Sequence, residues 1–369
     1  MNRSIRKHTI IALACMAFAT CSAFAQTPEP LPPGAKLKSV EARPERIDLK
    51  HAFDYRQVLL TGVLESGERV DVTRLAEFKA PASLAKVSPR GQVRPAGDGG
   101  GKLEFSVLGK TGAIPVQVSG QKDKYAVSFV RDVMPTLSKM GCNAGTCHGS
   151  AQGKNGFQLS LRGYDPQMDH RALVDDIAGR RFNRAAPDRS LMLMKPSGAV
   201  AHIGSVITQP GDPYYELLKL WIGEGAKLDL DTPRVKSIEV YPPSTGVPLP
   251  GMKQQMTVWA TYSDGTKRDV SAEAFIQSSN IEVATVDAQS VVTAVRRGET
   301  ALLARYEGNY AAATLIIMGD RTGFAWNNPP EFNWIDKLVY DKLRTVKVLP
   351  ADLSGDSDFI RRLHLDLTG

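Results

Sequence analysis

The sequence has 369 residues, of which 42% are hydrophobic and 23% charged, a balance that is typical of a folded chain and excludes a disordered one. A single domain rarely exceeds about 250 residues, so this length predicts several domains. The formal net charge of +7 is spread thinly along the chain, and we therefore expect no nucleic-acid partner.

Residues 1–25 have the features of an export signal. Arg3, Arg6 and Lys7 precede the apolar run TIIALACMAFAT, and the small-x-small pattern AFA ends at Ala25, which is typical of a cleavage site. The apolar run is shorter than the roughly 20 residues of a transmembrane helix, and no later segment is long enough. We therefore expect an exported, periplasmic or cell-surface protein without a transmembrane span.

Cleavage after Ala25 changes the cysteine count as well as the charge. It removes Cys15 and Cys21, leaves Cys142 and Cys147, and reduces the net charge from +7 to +4 because three basic residues and no acid are lost. A lipid anchor on Cys21 is the alternative, but the preceding FAT lacks the aliphatic residue expected three positions before the cysteine.

Two stretches of short alternating apolar runs, residues 38–121 and 234–319, follow a Pro-rich linker at residues 26–37. Each has a strand, a turn containing glycine, a second strand and an Asp-Val-Thr or Asp-Val-Ser phrase, at residues 71–73 and 269–271. This repetition predicts two immunoglobulin-like (Ig-like) β-sandwiches. Two unrelated β regions with common turn chemistry are the alternative.

Residues 126–230 have helical character. SFVRDVMPTLSKM predicts a short helix, broken near Pro135, that leads into the cysteines. DPYYELLKLWIGEGAKL predicts a longer helix with Asp212 as N-cap, Pro213 in the first turn and Gly225 at the end. Helical periodicity resumes in residues 330–369, where we expect the start of a truncated helical domain.

The stretch KMGCNAGTCHGS contains the clearest candidate for a functional motif in the sequence. Cys142 and Cys147 have four residues between them, and His148 follows directly. Covalent haem attachment uses two thiols and an adjacent histidine, usually as Cys-x-x-Cys-His, so this motif predicts one haem c with His148 as iron ligand. A longer gap between the cysteines occurs in variants of the motif.

Three other interpretations compete with haem. A Cys142–Cys147 disulfide is compatible with export. A zinc site needs further ligands, usually a second pair of cysteines or histidines, which the sequence lacks. A thiol redox pair normally has a two-residue gap and a thioredoxin-like βαβ context, and neither occurs here.

The second iron ligand is predicted from the segment before the longer helix. SLMLMKPSGAVAHIGS contains Met192, Met194 and His202, and small c-type cytochromes place the distal ligand before a C-terminal helix. We favour His202, with Met194 as the alternative. His170 and Met168 are weaker candidates. Four cations are candidates for the haem propionates, although each is more simply a solvated surface charge: Lys154, Arg162, Arg180 and Arg181.

The chain resembles the planctomycete-type cytochrome c proteins. The resemblance rests on residues 129–166, on the Arg-Arg-x-Asn element at residues 180–183, on residues 190–204 and on the Trp-Ile…Gly-Ala helix end at residues 221–226. It implies a cytochrome c-like region, a following bacterial group 2 Ig-like (Big) domain, and a C-terminal domain of unknown function that opens like FIRRLHLDLTG. HIGS departs from the family, which more often has His-Gly-Gly-Gly after the recurrent histidine.

These observations predict a multidomain fold in which two all-β Ig-like sandwiches flank a small, mostly α cytochrome c-like domain, followed by a truncated helical segment. The expected function is single-electron transfer by an exported monohaem module, with a redox partner protein or the missing C-terminal domain as partner. The alternative is a non-enzymatic adhesion or carbohydrate-binding protein that holds a polysaccharide or other cell-surface polymer. In that case Cys142 and Cys147 form a disulfide.

Overall fold

The structure, a computed structural model, describes residue 29, residues 31–177 and residues 179–369. The predicted export signal at residues 1–25, with its cleavage site after Ala25, lies outside the described residues.

The first β unit, residues 37–118, contains short strands arranged in three sheets of order β1-β4-β5, β2-β10-β9-β6 and β3-β8-β7. Buried and exposed side chains alternate along the second half of β9 and of β10, as the period of two in a pleated strand requires. The strands are β1 Leu37–Arg43, β2 Ile47–Leu49, β3 Arg56–Gln57, β4 Leu59–Leu64, β5 Arg69–Asp71, β6 Glu77–Lys79, β7 Ala85–Val87, β8 Gln92–Pro95, β9 Gly99–Val107 and β10 Lys110–Val118.

The second β unit, residues 235–317, repeats this plan strand by strand. Its sheets have the orders β11-β14-β15, β12-β20-β19-β16 and β13-β18-β17. The strands are β11 Val235–Tyr241, β12 Ser244–Val247, β13 Lys253–Gln255, β14 Thr257–Tyr262, β15 Lys267–Asp269, β16 Phe275–Ser278, β17 Ala284–Val286, β18 Val291–Ala294, β19 Gly298–Tyr306 and β20 Asn309–Ile317.

The repetition extends to details of the strand pairing. In each unit the second strand runs parallel to the last, β2 with β10 and β12 with β20, whereas the neighbouring pairs are antiparallel. The opening strand is irregular at the same place in both units, between Leu37 and Ser39 and between Val235 and Ser237. The two units are therefore structural copies of one another.

The two copies contact each other through a reciprocal pair of hydrogen bonds. The Asp71 carboxylate accepts a bond from the Gln255 backbone N–H at 2.5 Å, and the Asp269 carboxylate accepts one from the Gln57 backbone N–H at 2.7 Å. The buried apolar side chains of both copies form one continuous core. The interface thus has the approximate two-fold character of a homodimer, although it lies within one chain.

The central segment, residues 126–230, has a second apolar core of its own, built around Phe129 and Trp221, whose rings stack at 5.2 Å. A π-helical turn, Phe129–Val133, leads into α1, Met134–Lys139, and α4 spans Pro213–Gly223. Two further helices, α2 Pro166–Val174 and α3 Leu191–Met194, lie between them in the sequence.

Polar contacts attach the central segment to the β units. The Asp132 carboxylate pairs with the Arg268 guanidinium at 2.9 Å, and the Lys139 ammonium donates to the Ala274 carbonyl at 2.8 Å. On the side of the first unit, the His51 ring stacks on Tyr125 at 4.2 Å. Lys139 is the last residue of α1, so its bond to the Ala274 carbonyl fixes the helix that leads into the cysteines.

The predicted fold class is wrong, starting with the central segment. Its four α-helices have 6, 9, 4 and 11 residues, so most of its residues lie in turns and loops and the domain is not mostly α. Two features explain the short helices. Proline occupies the second position of α1 and the first positions of α2 and α4, and glycines with positive φ lie in the connections.

The predicted sandwiches and their arrangement are corrected as well. Each β unit forms three small sheets, where an Ig-like sandwich has two, because frequent turn residues divide the chain into short strands. The units do not flank the central segment as separate domains, since they share one core. The expectation of a small cytochrome c-like α domain, with the cytochrome classification that depended on that fold, is corrected, because the described chain is predominantly β.

Beyond the second unit, α5 Trp334–Thr345 and α6 Asp356–Thr368 occupy the segment with predicted helical periodicity. Asn333 caps α5: its side chain accepts bonds from the backbone of Ile335 and Asp336. Within the described residues, no helix combines the length and apolar character needed to cross a membrane.

Candidate functional site

The first cysteine is positioned by the end of α1. The Cys142 backbone N–H donates to the carbonyl of Leu137 at 3.0 Å, which continues the helical hydrogen bonding past the last residue of the helix. Gly141, with a φ of 78°, makes the turn that the chain needs at this point. Cys142 packs against the central core and is half-buried.

The loop between the cysteines folds back on itself and places His148 beside Cys142. The His148 backbone N–H donates to the Cys142 carbonyl at 3.0 Å, and the Cys147 N–H donates to the Ala144 carbonyl at 2.9 Å. On the far side, the Leu159 N–H donates to the His148 carbonyl at 2.8 Å. The four-residue gap is therefore accommodated by a compact turn.

Gly149 has a packing requirement that predicts a destabilising substitution. A Cβ at this position would lie 2.0 Å from the Asn143 carbonyl oxygen, so Gly149→Ala forces the loop to move. We expect a loss of about 1–3 kcal/mol in unfolding free energy, measured by denaturant titration. Gly145→Ala is the matched control, because its Cβ would make an ordinary 3.5 Å contact with Leu161. Equal stability of the two variants would contradict this packing.

The ring of His148 has one nitrogen engaged and one left over. Nδ1 lies 3.0 Å from the Phe157 carbonyl oxygen, an acceptor, so Nδ1 carries the proton and Nε2 keeps its lone pair. Burial lowers the pKa of His148, and the charges of His202 and Lys195 lower it further, whereas the bond to Phe157 opposes the shift. The neutral imidazole, the form that ligates a metal, is thereby favoured.

The two thiols are free and have no feature of a redox pair. Burial raises the pKa of Cys142 to about 12, and the neighbouring Cys147 adds to this effect. Reactive cysteine pairs have lowered pKa values, so this shift is in the wrong direction for thiol exchange. In the described part of the chain, no group of three or more His, Cys, Asp or Glu side chains is arranged to hold a metal ion, which disfavours the zinc interpretation.

The charge of His202 is one of the influences that lower the pKa of His148. His202 is half-buried, and within the described residues its Nδ1 is buried without a hydrogen-bond partner. The loop wraps closely around the ring, since a Cβ on Gly204 would lie 2.7 Å from Cε1 of His202. An unsatisfied buried ring nitrogen next to the cysteine motif is an unusual arrangement that requires a ligand or water.

The other candidate ligands differ in what they contact. Met192 packs against the central core, while Met194 ends the one-turn helix α3 and is half-buried. His170 is a core residue: its Nε2 bonds the Ala226 carbonyl at 2.8 Å and its ring lies edge-on to Trp221. Met168 lies exposed on α2. His170 is thus used structurally.

Of the four candidate propionate partners, Arg181 packs on the ring of Phe157. Its guanidinium is 4.2 Å from the centre of the Phe157 ring, which in turn lies 4.5 Å from the His148 ring. Lys154, Arg162 and Arg180 are exposed. Sequence reasoning missed Lys195, whose charge also reaches His148. The signal that identifies Lys195 is its position directly after Met194, in the segment that leads to His202.

These side chains fit a covalently attached haem. The group requires two thiols and a histidine with a free ring nitrogen, donor types that Cys142, Cys147 and His148 provide, and His202 is a candidate for a second donor. The carbonyl on Nδ1 of His148 is the type of outer hydrogen bond that orients a metal-ligating imidazole. Haem attachment would depend on the local geometry of these residues. It would not depend on the fold class.

Comparison with known proteins gives limited similarity. No family model matches the chain. Ice-binding protein 1 of Shewanella frigidimarina (strain NCIMB 400) is 34% identical over 90 residues, which is 23% of this chain and 10% of that protein. The chain therefore spans about a tenth of the curated relative that it matches.

Among solved structures, domains 5–6 of the S-layer protein SbsC align over 77% of this chain and 99% of that one, with 9% identity and a TM-score of 0.29. Domains 1–6 of the surface layer protein SbsC align over 78% of this chain and 29% of that one, with 11% identity and a TM-score of 0.22. TM-scores at this level do not establish a common fold.

Proposed function

We propose that the central segment holds one covalently attached haem c in an exported protein. Cys142 and Cys147 would hold the group by thioether links, and His148 and His202 would offer imidazole nitrogens to its iron. The observation that carries this proposal is the state of His148: the Phe157 carbonyl engages Nδ1 and leaves Nε2 available. In support, Nδ1 of His202 is buried without a hydrogen-bond partner among the described residues.

The chain's own contacts orient each group. The bond from Cys142 N–H to Leu137 fixes the first thiol at the end of α1, and the bond from His148 N–H to the Cys142 carbonyl fixes the imidazole beside it. The Phe157 carbonyl holds the proton on Nδ1 of His148. When bound, the haem supplies an iron that takes up and releases one electron.

Arg181 and Lys195 are the cations that we assign to the propionates. Both charges act on His148, and Arg181 is held in place by its bond to the Asp176 carbonyl at 2.7 Å and by the Phe157 ring. Guanidinium and ammonium groups are the usual partners of carboxylates. Lys154, Arg162 and Arg180 are solvated surface charges in this proposal.

The location and partners that we propose for the protein rest on its sequence. The signal-like residues 1–25 support export to the periplasm or cell surface. The resemblance of residues 129–166 to planctomycete-type cytochrome c proteins supports haem attachment. A redox partner protein or a further domain of the same polypeptide would exchange electrons with the haem.

A second candidate function, non-enzymatic adhesion or polymer binding, is favoured by the paired β units. Their reciprocal bonds through Asp71 and Asp269 and their shared apolar core join the two units. In this alternative Cys142 and Cys147 join in a disulfide within the loop.

A pyridine haemochrome spectrum separates the two candidates. The protein produced with export and haem-maturation machinery is expected to show covalent haem, and Cys142→Ser together with Cys147→Ser is expected to abolish it. His202→Ala should convert a low-spin spectrum to high-spin, because the iron loses one axial ligand. Met194→Ala is the matched variant and should leave the spectrum unchanged.

The opposite results are equally informative. A protein without covalent haem, whose two cysteines resist thiol labelling until they are reduced, has the disulfide of the second candidate. A high-spin spectrum in Met194→Ala, with His202→Ala unchanged, assigns the axial role to the methionine. His364→Ala, on the exposed face of α6, controls for the loss of any histidine.

A further inference from the structure

A tight two-residue turn follows the cysteine motif, at residues 154–157. The Lys154 N–H donates to the Phe157 carbonyl at 2.9 Å, and the Phe157 N–H donates to the Lys154 carbonyl at 3.0 Å. Between them, Asn155 and Gly156 both have left-handed backbone conformations, with φ values of 51° and 71°. A type I′ turn requires this at both central positions, and Asn-Gly is its favoured pair.

The two central residues of this turn also have the chemistry of a self-modifying pair. The backbone nitrogen of the residue after an asparagine can attack Cγ of the asparagine side chain, and the approach is easiest when that residue is glycine, which has no side chain. Asn155 and Gly156 are both exposed. The pairing of Lys154 with Phe157 leaves the Gly156 N–H outside the hydrogen bonds of the turn.

Other asparagines of the chain lack this combination. The sequence Asn-Gly occurs once in the 369 residues. Asn143 is buried in the cysteine loop, and Asn328 precedes Pro329, which has no backbone N–H. Asn183 is exposed, but it precedes Arg184, whose side chain crowds the attacking nitrogen. The turn at residues 154–157 is therefore the place where this reaction is expected first.

We propose that Asn155 is a site of spontaneous deamidation. The Gly156 nitrogen forms a bond to Cγ of Asn155, the bond from Cγ to the side-chain nitrogen breaks, and ammonia leaves with the proton of the Gly156 N–H. Water then opens the succinimide ring. Attack of water at Cγ gives aspartate, and attack at the backbone carbonyl gives isoaspartate, in which the main chain runs through Cβ and Cγ. Either product adds a carboxylate, which is ionised at neutral pH.

The isoaspartate form affects the candidate site through Phe157. The Phe157 carbonyl accepts the turn bond from Lys154 and also lies 3.0 Å from Nδ1 of His148. The packing there is close, since a Cβ on Gly153 would lie 2.3 Å from the same carbonyl oxygen. Isoaspartate lengthens the main chain between Lys154 and Phe157 by a methylene group, which a two-residue turn cannot accommodate. The turn therefore opens, and the carbonyl that orients His148 moves.

Peptide mass mapping tests the site after the full chain has been incubated in mildly alkaline buffer and digested with pepsin in acid. We expect the peptide that contains Asn155 to gain about 1 Da, the difference between an amide and a carboxyl group, and to separate into two products. The peptide that contains Asn183 is the control in the same sample and should keep its mass. Asn155→Gln should abolish the gain. Gly156→Ala should slow it, and its Cβ would meet no atom within 4 Å.

Hydrogen exchange of the Lys154 and Phe157 amides measures the consequence and should be faster in the converted sample. An unchanged mass of the Asn155 peptide, an equal gain in the Asn183 peptide, or a Gly156→Ala variant that reacts like the wild type overturns the proposal. Unchanged exchange in a converted sample overturns the effect on the turn. None of these measurements depends on haem, so failure here and failure of the haem proposal are distinguishable.

Discussion

Asp132→Ala is expected to lower the free energy of unfolding by about 3–5 kcal/mol, because it breaks a buried ion cluster that joins the central segment to the second β unit. One carboxylate oxygen accepts from Arg268 at 2.9 Å, and the other accepts from the Tyr125 hydroxyl at 2.8 Å and the Ser128 N–H at 3.0 Å. The side chain of Asp132 is completely buried.

The charge left behind explains the size of this effect. Burial by itself raises the pKa of Asp132, but Arg268 and Arg131 outweigh it, and the net pKa lies below the ordinary value of 3.8. Removal of the carboxylate leaves the guanidinium of Arg268 largely buried without its partner. The Tyr125 hydroxyl and the Ser128 N–H lose their acceptor at the same time.

Denaturant titration at pH 7 measures the loss. Because the pKa of Asp132 is lower in the folded chain, its contribution is present above pH 3.8 and is lost as the pH falls through the folded pKa. The difference between wild type and variant should therefore shrink in acid. Asp48→Ala, which removes an exposed pair with Arg46, is the control and should cost less than about 1 kcal/mol. Similar costs for the two variants would contradict the cluster.

Asp71→Ala and Asp269→Ala are expected to be the next most damaging substitutions, each at about 3 kcal/mol, because each removes a buried acceptor from the interface between the β units. Asp269 accepts from Gln57 and from the N–H and hydroxyl of Ser271, at 2.7, 3.0 and 2.6 Å. Asp71 accepts the equivalent bonds from Gln255 and Thr73. We expect Asp71→Ala to cost more, since Asp71 also pairs with Arg74 at 2.9 Å.

The free energy of unfolding is expected to depend on pH through Asp269. Burial raises the pKa of Asp269 to about 6, above 3.8, so the folded chain holds this proton more tightly than the unfolded chain. The resulting stabilisation is complete below pH 3.8 and is lost as the pH rises through about 6. Asp269→Asn should remove this slope from the stability curve. An unchanged slope in Asp269→Asn would count against the assignment.

Local features of the fold could be predicted from the sequence, but contacts between distant segments could not. The helix of residues 212–226 starts at Pro213 as predicted, since proline preorganises the first turn. Asp212 does not cap it with its side chain, which bonds the Gln209 N–H instead. That bond belongs to the turn of the preceding loop, and the apolar pattern of the helix gives no information about it.

The candidate site shows the same division. Cys142, Cys147 and His148 are contiguous, so their chemistry could be predicted from spacing alone. Their surroundings could not, because the carbonyl that orients His148 belongs to Phe157 and the neighbouring cation is Lys195. The short helix that leads into the cysteines was predicted, whereas α2 and α3 were not, since helices of one or two turns have little apolar periodicity.

The reciprocal bonds between the β units have an evolutionary consequence. In a homodimer one mutation alters both halves of the interface, whereas in a duplicated chain each half changes separately. Arg74 stands beside Asp71 in one copy, and Ala272 occupies the corresponding place beside Asp269 in the other. The two copies have thus been free to diverge in charge while they keep the same exchange of backbone hydrogen bonds.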